Sequence, residues 1–418
     1  MDMLKLIEKK KRGEALTDAQ IHELIAAYVR HDIPDYQMSA FLMAVWFQGM
    51  TMPETLSLCD AMIRSGETMD LSSIEGIACD KHSSGGVGDK TTLVLAPLVS
   101  ACGAAVAKMS GRGLGHTGGT IDKLESIPGL RTDLDPDAFC RQVKEIRLAI
   151  SAQSGRLVPA DGMLYALRDV SGTVDSLPLI ASSIMSKKIA AGCGAILLDV
   201  KYGEGAFMRE RAQAEELCAC MKEIGRHFGR DVQTVLSDMN DPLGNAIGNI
   251  LEVKEAIMTL RGEGPQDLQE LCEEEGAIML MQAHIAADEQ SGRAMIRSAI
   301  RDGSGLRRFR EMVIAQGGDV RFIDEPQRFA QAPCICPLYS RKSGTIQQVH
   351  ALAVGTLAME LGAGRRDLQA HIDPRVGIVL KHKKGDMVRS GEALAEVHAA
   401  AMPDERWLCR LQDAFVIR

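Results

Sequence analysis

KHSSGGVGDKTTLVLAPLVSACGAAVAKMSGRGLGHTGGTIDKLE, from Lys81 to Glu125, decides how this chain is read. Its glycine clusters build core poorly, because each glycine costs backbone entropy and adds no side chain. Such clusters persist where a ligand must touch backbone N–H groups. Here they alternate with Lys81, Ser83, Thr92, Lys108, Ser110 and Thr120, which are cations and hydroxyl donors. Glycine turns carrying these groups form a cradle for a small, highly charged oxyanion, above all phosphate.

The rest of the chain bounds what such a cradle serves. At 418 residues it is long enough for two or three domains around a large core. A net charge of −8, with no Lys/Arg run interleaved with aromatics, disfavours nucleic acid as a partner. A small anion must then be gathered by a local positive site, not by the global field. The eleven cysteines are scattered, and their only close pairs, Cys218/Cys220 and Cys334/Cys336, lack zinc-ligand spacing. They read as reduced thiols of a cytoplasmic protein. Met1 to Arg12 is charged and reads as no secretory leader. The most apolar run, Leu93 to Ala107, is broken by Pro97, Ser100 and Gly103 and is too short to span a bilayer.

Periodicity divides the chain. Residues 1–66 read as helices: a capping box at Thr17–Gln20, a break at Pro34, a second capping box at Thr51–Glu54 and a stop at Gly66. From about Leu71 short apolar runs alternate with helices, as in an α/β domain with parallel strands, over 70–155 and 192–330. Gln213 to Arg226 and Gln266 to Ile285 read as helices on that domain. Helical, polar-decorated character returns between Leu164 and Ala191, hinting that 160–191 packs on the first helices. After about Gln331 the chain becomes strand-rich, giving a C-terminal α+β domain over 331–418. Its Val376–Val397 stretch has a turn pattern like that of biotinyl and lipoyl carriers around Lys381, Lys383 and Lys384, but reads as a structural β domain.

DKHSSGGVGD (Asp80–Asp89) and SGRGLGHTGGTIDKLE (Ser110–Glu125) resemble the signature of the thymidine and pyrimidine-nucleoside phosphorylases. LIEKKKRGEALTDAQIHELI, DGMLYALRDVSGTVDSLPLIASSIMSKKIAAG, DPLGNAIGNILEVKEAI and GTLAMELGAGR extend the resemblance over nearly the whole chain. It implies a discontinuous all-helical domain beside a larger α/β domain and the C-terminal domain. It also implies a homodimer through the N-terminal helices, and phosphorolysis of uridine, thymidine or deoxyuridine to the base and a pentose 1-phosphate.

The resemblance also distributes roles. Phosphate falls to Lys81, His82, Ser83, Thr92, Lys108, Met109, Ser110 and Thr120. The pyrimidine falls to Tyr165, Arg168, Ser183 and Lys187. On helices, Tyr165 and Arg168 are neighbours, as are Ser183 and Lys187. His82, in the cradle, can hydrogen-bond or protonate O2 of the departing base, with His116 as the competing donor. Lys81, His82, Arg168 and Lys187 thus form the expected catalytic set, and Leu114 and Phe207 supply apolar walls. A potassium ion is implied at Gly88, Lys90, Leu243, Ala246 and Glu255. A lysine at position 90 would repel that ion, so the assignment requires Lys90 to offer its carbonyl and turn its ammonium away. Three other readings compete: a strict thymidine phosphorylase within the family, a phosphoribosyltransferase of the anthranilate type, with Asp122 and Glu125 on Mg²⁺, and a nucleoside sensor without turnover.

Overall fold

The computed structural model of the protein describes residues 2–113, 115–365 and 370–418. Four helices come first: α1 (Met3–Lys11), α2 (Asp18–Val29), α3 (Asp35–Gln48) and α4 (Met52–Arg64). There follow β1 (Ala78–Ser83), α5 (Thr91–Ala101), β2 (Ala105–Ser110), α6 (Thr120–Leu124), α7 (Pro136–Ile146) and β3 (Leu148–Ala152). Next are α8 (Pro159–Ser171), α9 (Leu177–Ala190), β4 (Ala195–Tyr202), α10 (Arg211–His227), β5 (Asp231–Asp238), β6 (Ala246–Ile247) and α11 (Asn249–Leu260). Helices then run to Asp324, before the C-terminal strands β7 (Cys334–Tyr339), β8 (Gly344–Val349), β9 (Gly377–Leu380), β10 (Met387–Val388), β11 (Ala393–Ala399) and β12 (Phe415–Ile417).

The chain forms two compact units. The first gathers residues 1–73, 153–196 and 215–233. Its helices start where the sequence says they should, because Thr17 and Thr51 each close a full capping box. Glu54 does more than cap. It accepts from Thr51 N at 2.8 Å, from Leu16 N at 2.8 Å and from the buried Lys10 ammonium at 2.9 Å. The apolar faces of α1 to α4 and α9 close over Leu24, Ile25, Met38, Leu42, Leu58 and Met62, all at most 3% exposed.

The second unit holds residues 74–152, 197–214 and 234–418. Its five-stranded sheet has the order β3-β2-β1-β4-β5, with β1–β2 and β2–β3 parallel. The order reverses between β1 and β4, and in such sheets ligands bind at the carboxyl ends of the strands beside that point. The C-terminal strands are antiparallel, in two sheets ordered β10-β8-β12 and β6-β9-β11-β7.

One sequence expectation changes. Lys81, His82 and Ser83 lie on a strand, β1, and not in a glycine loop. The strand was invisible because its sequence, ACDKHS, has no apolar run; the buried Asp80 and Lys81 are tolerated because charged partners surround them. Residues 215–233, including most of α10, group with the first unit. Lys381, Lys383 and Lys384 face carboxylates, Glu396, Asp267 and Asp241 respectively.

Candidate active site

In the second unit, parallel pairing of β1 with β2 brings two short segments together at the carboxyl ends of the strands: Lys81-His82-Ser83 and Lys108-Met109-Ser110. The turn after β1 leads into α5, with Thr91 and Thr92 in its first helical turn. Asp89 shapes that turn. One carboxylate oxygen accepts from Ser83 Oγ at 2.5 Å, and the other from Thr91 Oγ1 at 2.6 Å and Thr91 N at 3.1 Å. Burial works against the charge on Asp89, but Lys201, Lys81 and Lys123 outweigh it and hold its carboxyl well below the usual range. Ser84 ties the turn to β4, donating its N–H to Asp199 O at 2.9 Å and accepting from Lys201 N at 2.8 Å. Thr92 is buried, whereas Ser110, Thr120 and His82 are half-buried.

Lys81 is not a bare point cation. It is 2% exposed, donates to Asp199 Oδ2 at 3.0 Å and lies 3.5 Å from Glu275. Burial lowers its pKa, but Glu275, Asp199 and Asp89 raise it further, so it stays charged. Lys201 stands 2.6 Å from the same Asp199 oxygen. Burial pushes the Glu275 carboxyl up, against the pull of the Lys81 and Lys201 charges. Lys81 and Lys201 stand among the carboxyl groups of Asp199, Glu275 and Asp89. The Lys81 charge is therefore compensated within the protein, which makes it a holder of the β1–β4 seam as well as a phosphate candidate. Lys108, 3% exposed, sits 3.9 Å from Asp80.

The glycines serve the chain itself. Gly88 has φ +72°, and a Cβ there would stand 2.5 Å from Leu243 O. Gly113 and Gly119 face one another so closely that a Cβ on Gly119 would lie 2.0 Å from Gly113 N. Gly113 and Gly119 thus bring backbone against backbone where a side chain would clash. His116, between them in sequence, sits 3.3 Å from Gly205 O, and burial lowers its pKa. Phe207, 46% exposed, lies beside the Gly85 turn; Leu114 lies outside the described residues.

In the first unit, Tyr165, Arg168, Ser183 and Lys187 come together on α8 and α9. Lys187 Nζ donates to Ser183 Oγ at 3.1 Å and to Asp161 Oδ2 at 2.7 Å. The Lys187 ammonium and the Arg168 guanidinium lie 5.7 and 5.9 Å from the Tyr165 ring centroid. Asp161 was missed by sequence reasoning. Its spacing to Tyr165 and Arg168, four and seven residues, places all three on one face of α8 and was the available signal. Arg168 departs from expectation. It is 2% exposed and donates to three backbone carbonyls: Thr173 O at 3.2 Å, Val174 O at 2.6 Å and Leu179 O at 3.2 Å. It therefore pins the α8–α9 turn, with two of its five N–H donors left for other partners. The entry to α8 is strained: Val158 has φ 53°, rare for a β-branched residue, and Ala160 N is held by Ser65 Oγ at 3.1 Å.

The cage that the resemblance assigns to potassium contains a side chain. Lys90 points its ammonium inward, donating to Leu243 O at 3.0 Å, Ala246 O at 2.8 Å and Glu255 Oε2 at 2.5 Å. The condition for a potassium ion there, an outward-facing ammonium, is not met, and these residues do not fit the ion. Asp122 and Glu125, the alternative metal carboxylates, are both held by Arg112, and Asp122 also by Arg365 at 2.8 Å.

Comparisons with known proteins complete the picture. Residues 4–66 match the model of the glycosyl transferase family helical bundle domain, 75–306 that of the family's a/b domain, and 345–418 the pyrimidine nucleoside phosphorylase C-terminal domain. The chain is 54% identical over 399 residues to a pyrimidine-nucleoside phosphorylase of Geobacillus stearothermophilus, covering 96% of this chain and 92% of that one. It is 51% identical, with the same coverage, to the protein of that name from Staphylococcus aureus strain USA300. Among solved structures, anthranilate phosphoribosyltransferase of Thermus thermophilus superposes with a TM-score of 0.62 at 18% identity, covering 74% of this chain and 99% of that one, a likeness of fold alone. With three domain matches along the chain and relatives this similar over nearly its full length, the chain belongs to the pyrimidine-nucleoside phosphorylase family.

Proposed function

We propose that this chain cleaves pyrimidine nucleosides with inorganic phosphate, releasing the free base and ribose or deoxyribose 1-phosphate. The observation that carries the reading is the first unit's cluster of Lys187, Ser183, Tyr165 and Arg168. An aromatic face, a hydroxyl and two cations suit a flat ring edged by carbonyl oxygens. The relatives at 54% and 51% identity carry the matching name.

Phosphate needs little activation as a nucleophile, so the protein must chiefly bind, orient and stabilise. A phosphate oxygen bonds to C1′ as the C1′–N1 bond breaks. The bonding pair moves onto the base, where charge spreads to O2. Thr92, Ser110 and Thr120 hold the nucleophile by their hydroxyls and Lys108 by its charge, while Ser83 orders the turn through Asp89. His82 donates to O2 of the leaving base. In the first unit, Lys187, fixed by Asp161 and Ser183, is the donor suited to a carbonyl oxygen of the base. No step requires a metal ion. Uridine, thymidine and deoxyuridine share the edge that these groups read.

The protein acts in the cytoplasm as a homodimer formed through its N-terminal helices. Tyr36 and Phe47 on α3, 74% and 72% exposed, support that face, and sedimentation equilibrium tests it. Among the described residues no helix is long and apolar enough to cross a membrane. The functional test is release of uracil or thymine from each nucleoside with and without phosphate. Phosphate-dependent release with stoichiometric sugar 1-phosphate is expected; release by water alone would overturn the reading.

A further inference from the structure

Lys90 is 1% exposed, so its ammonium must find its partners inside the protein. An ammonium has three N–H donors, and each here meets one oxygen: two backbone carbonyls and one carboxylate. An all-oxygen ring of this kind is what a hard monovalent or divalent cation selects. We propose that the Lys90 ammonium is a covalently tethered substitute for that cation, so that this enzyme's cation cage is permanently filled and independent of potassium.

The surroundings leave no place for a second ion. Glu255 is the cage's one carboxylate, and its oxygens also accept from Asn245 N and Ala246 N at 3.0–3.1 Å. Gly88 and Gly244 press from the sides: a Cβ on either would stand 3.4 Å and 2.8 Å, respectively, from Lys90 Nζ. A further cation would meet the ammonium's repulsion with no carboxylate left to offset it.

The tether has a structural consequence. Lys90 is the N-cap residue of α5 and follows Asp89, which organises the turn carrying Ser83. Its other end grips residues 243–246, and Ala246 lies on β6, which pairs with β9 of the C-terminal sheet. One side chain therefore staples the phosphate turn, α11 and the C-terminal sheet. A free ion would do this only at concentrations above its dissociation constant, whereas a tethered ammonium does it at any salt composition.

Melting and ion binding test this without reference to turnover, so the outcome is separable from the proposed reaction. The wild-type protein is melted in potassium, sodium and choline chloride at equal ionic strength, and its binding of radioactive rubidium is measured by equilibrium dialysis. Equal melting temperatures and no bound rubidium are expected. Lys90→Thr opens the cage. Its melting temperature should fall in choline chloride and recover by roughly 5 °C in saturating potassium chloride, as binding to the folded state requires. One rubidium bound per wild-type chain, or a wild-type melting temperature that rises specifically with potassium, would overturn the proposal. So would a Lys90→Thr protein indifferent to potassium. The wild-type arms decide the matter even where the variant does not fold.

Discussion

Arg168→Met tests whether this residue builds the base site or only touches the base. The guanidinium makes three hydrogen bonds to carbonyls between 173 and 179. Charge-assisted bonds contribute about 1.5–3 kcal/mol each, so the lower bound for three is about 4.5 kcal/mol. Two effects reduce this. Burial disfavours the charged guanidinium, as its lowered pKa indicates, and the bond to Val174 O is only partly buried, so water can replace the lost donor. A net loss of about 3 kcal/mol remains. The first unit has roughly 140 residues, and at about 2.1 cal/mol/K of unfolding entropy per residue that loss lowers its Tm by about 10 °C. Arg168→Lys keeps the charge but not the fork, and should recover about a third of the loss. Differential scanning calorimetry reads the stability and titration calorimetry with uracil reads the site. Both should fall together, with hydrogen exchange accelerated at Thr173–Leu179. An Arg168→Met protein that melts within about 2 °C of wild type yet binds uracil poorly would refute the pinning role and return Arg168 to a ligand contact.

Other substitutions separate the remaining roles. Ser83→Ala removes a hydroxyl whose bond to Asp89 orders the phosphate turn; it should raise KM for phosphate by about tenfold and leave KM for the nucleoside unchanged, the size of one hydrogen bond of about 1.4 kcal/mol. His82→Ala should lower kcat more on uridine than on 5-fluorouridine, whose base leaves more readily; equal losses in single-turnover assays would make the residue structural and turn attention to His116. Glu275 has a folded pKa raised by burial, so the unfolded chain releases that proton first and stability falls as pH rises above about 4.5. Glu275→Gln removes that penalty: its Tm should approach wild type near pH 4.5 and exceed it as pH rises, and parallel curves would contradict an upward shift of the Glu275 carboxyl.

The sequence by itself determined the helical beginning, the alternation of strands and helices and the strand-rich end. It could do so because caps, apolar periodicity and long motifs are local signals. Thr17 and Thr51 cap whatever surrounds them. The i, i+4 spacing of Ser183 and Lys187 puts them on one helical face before any tertiary contact forms. What only the tertiary structure decided was where charges point. ACDKHS reads as a polar loop until Asp199, Lys201 and Glu275, more than a hundred residues away, neutralise it into a buried strand. Arg168 looks like a free cation until the α8–α9 turn folds its carbonyls around the guanidinium. Lys90 looks incompatible with a cation cage until its long side chain is seen to reach the carbonyls of Leu243 and Ala246 and fill the cage itself. The free energy of a buried charge is set by partners distant in sequence, so the composition of Lys81–Glu125 indicated the chemistry of the site, and only the fold assigned each charge its partner.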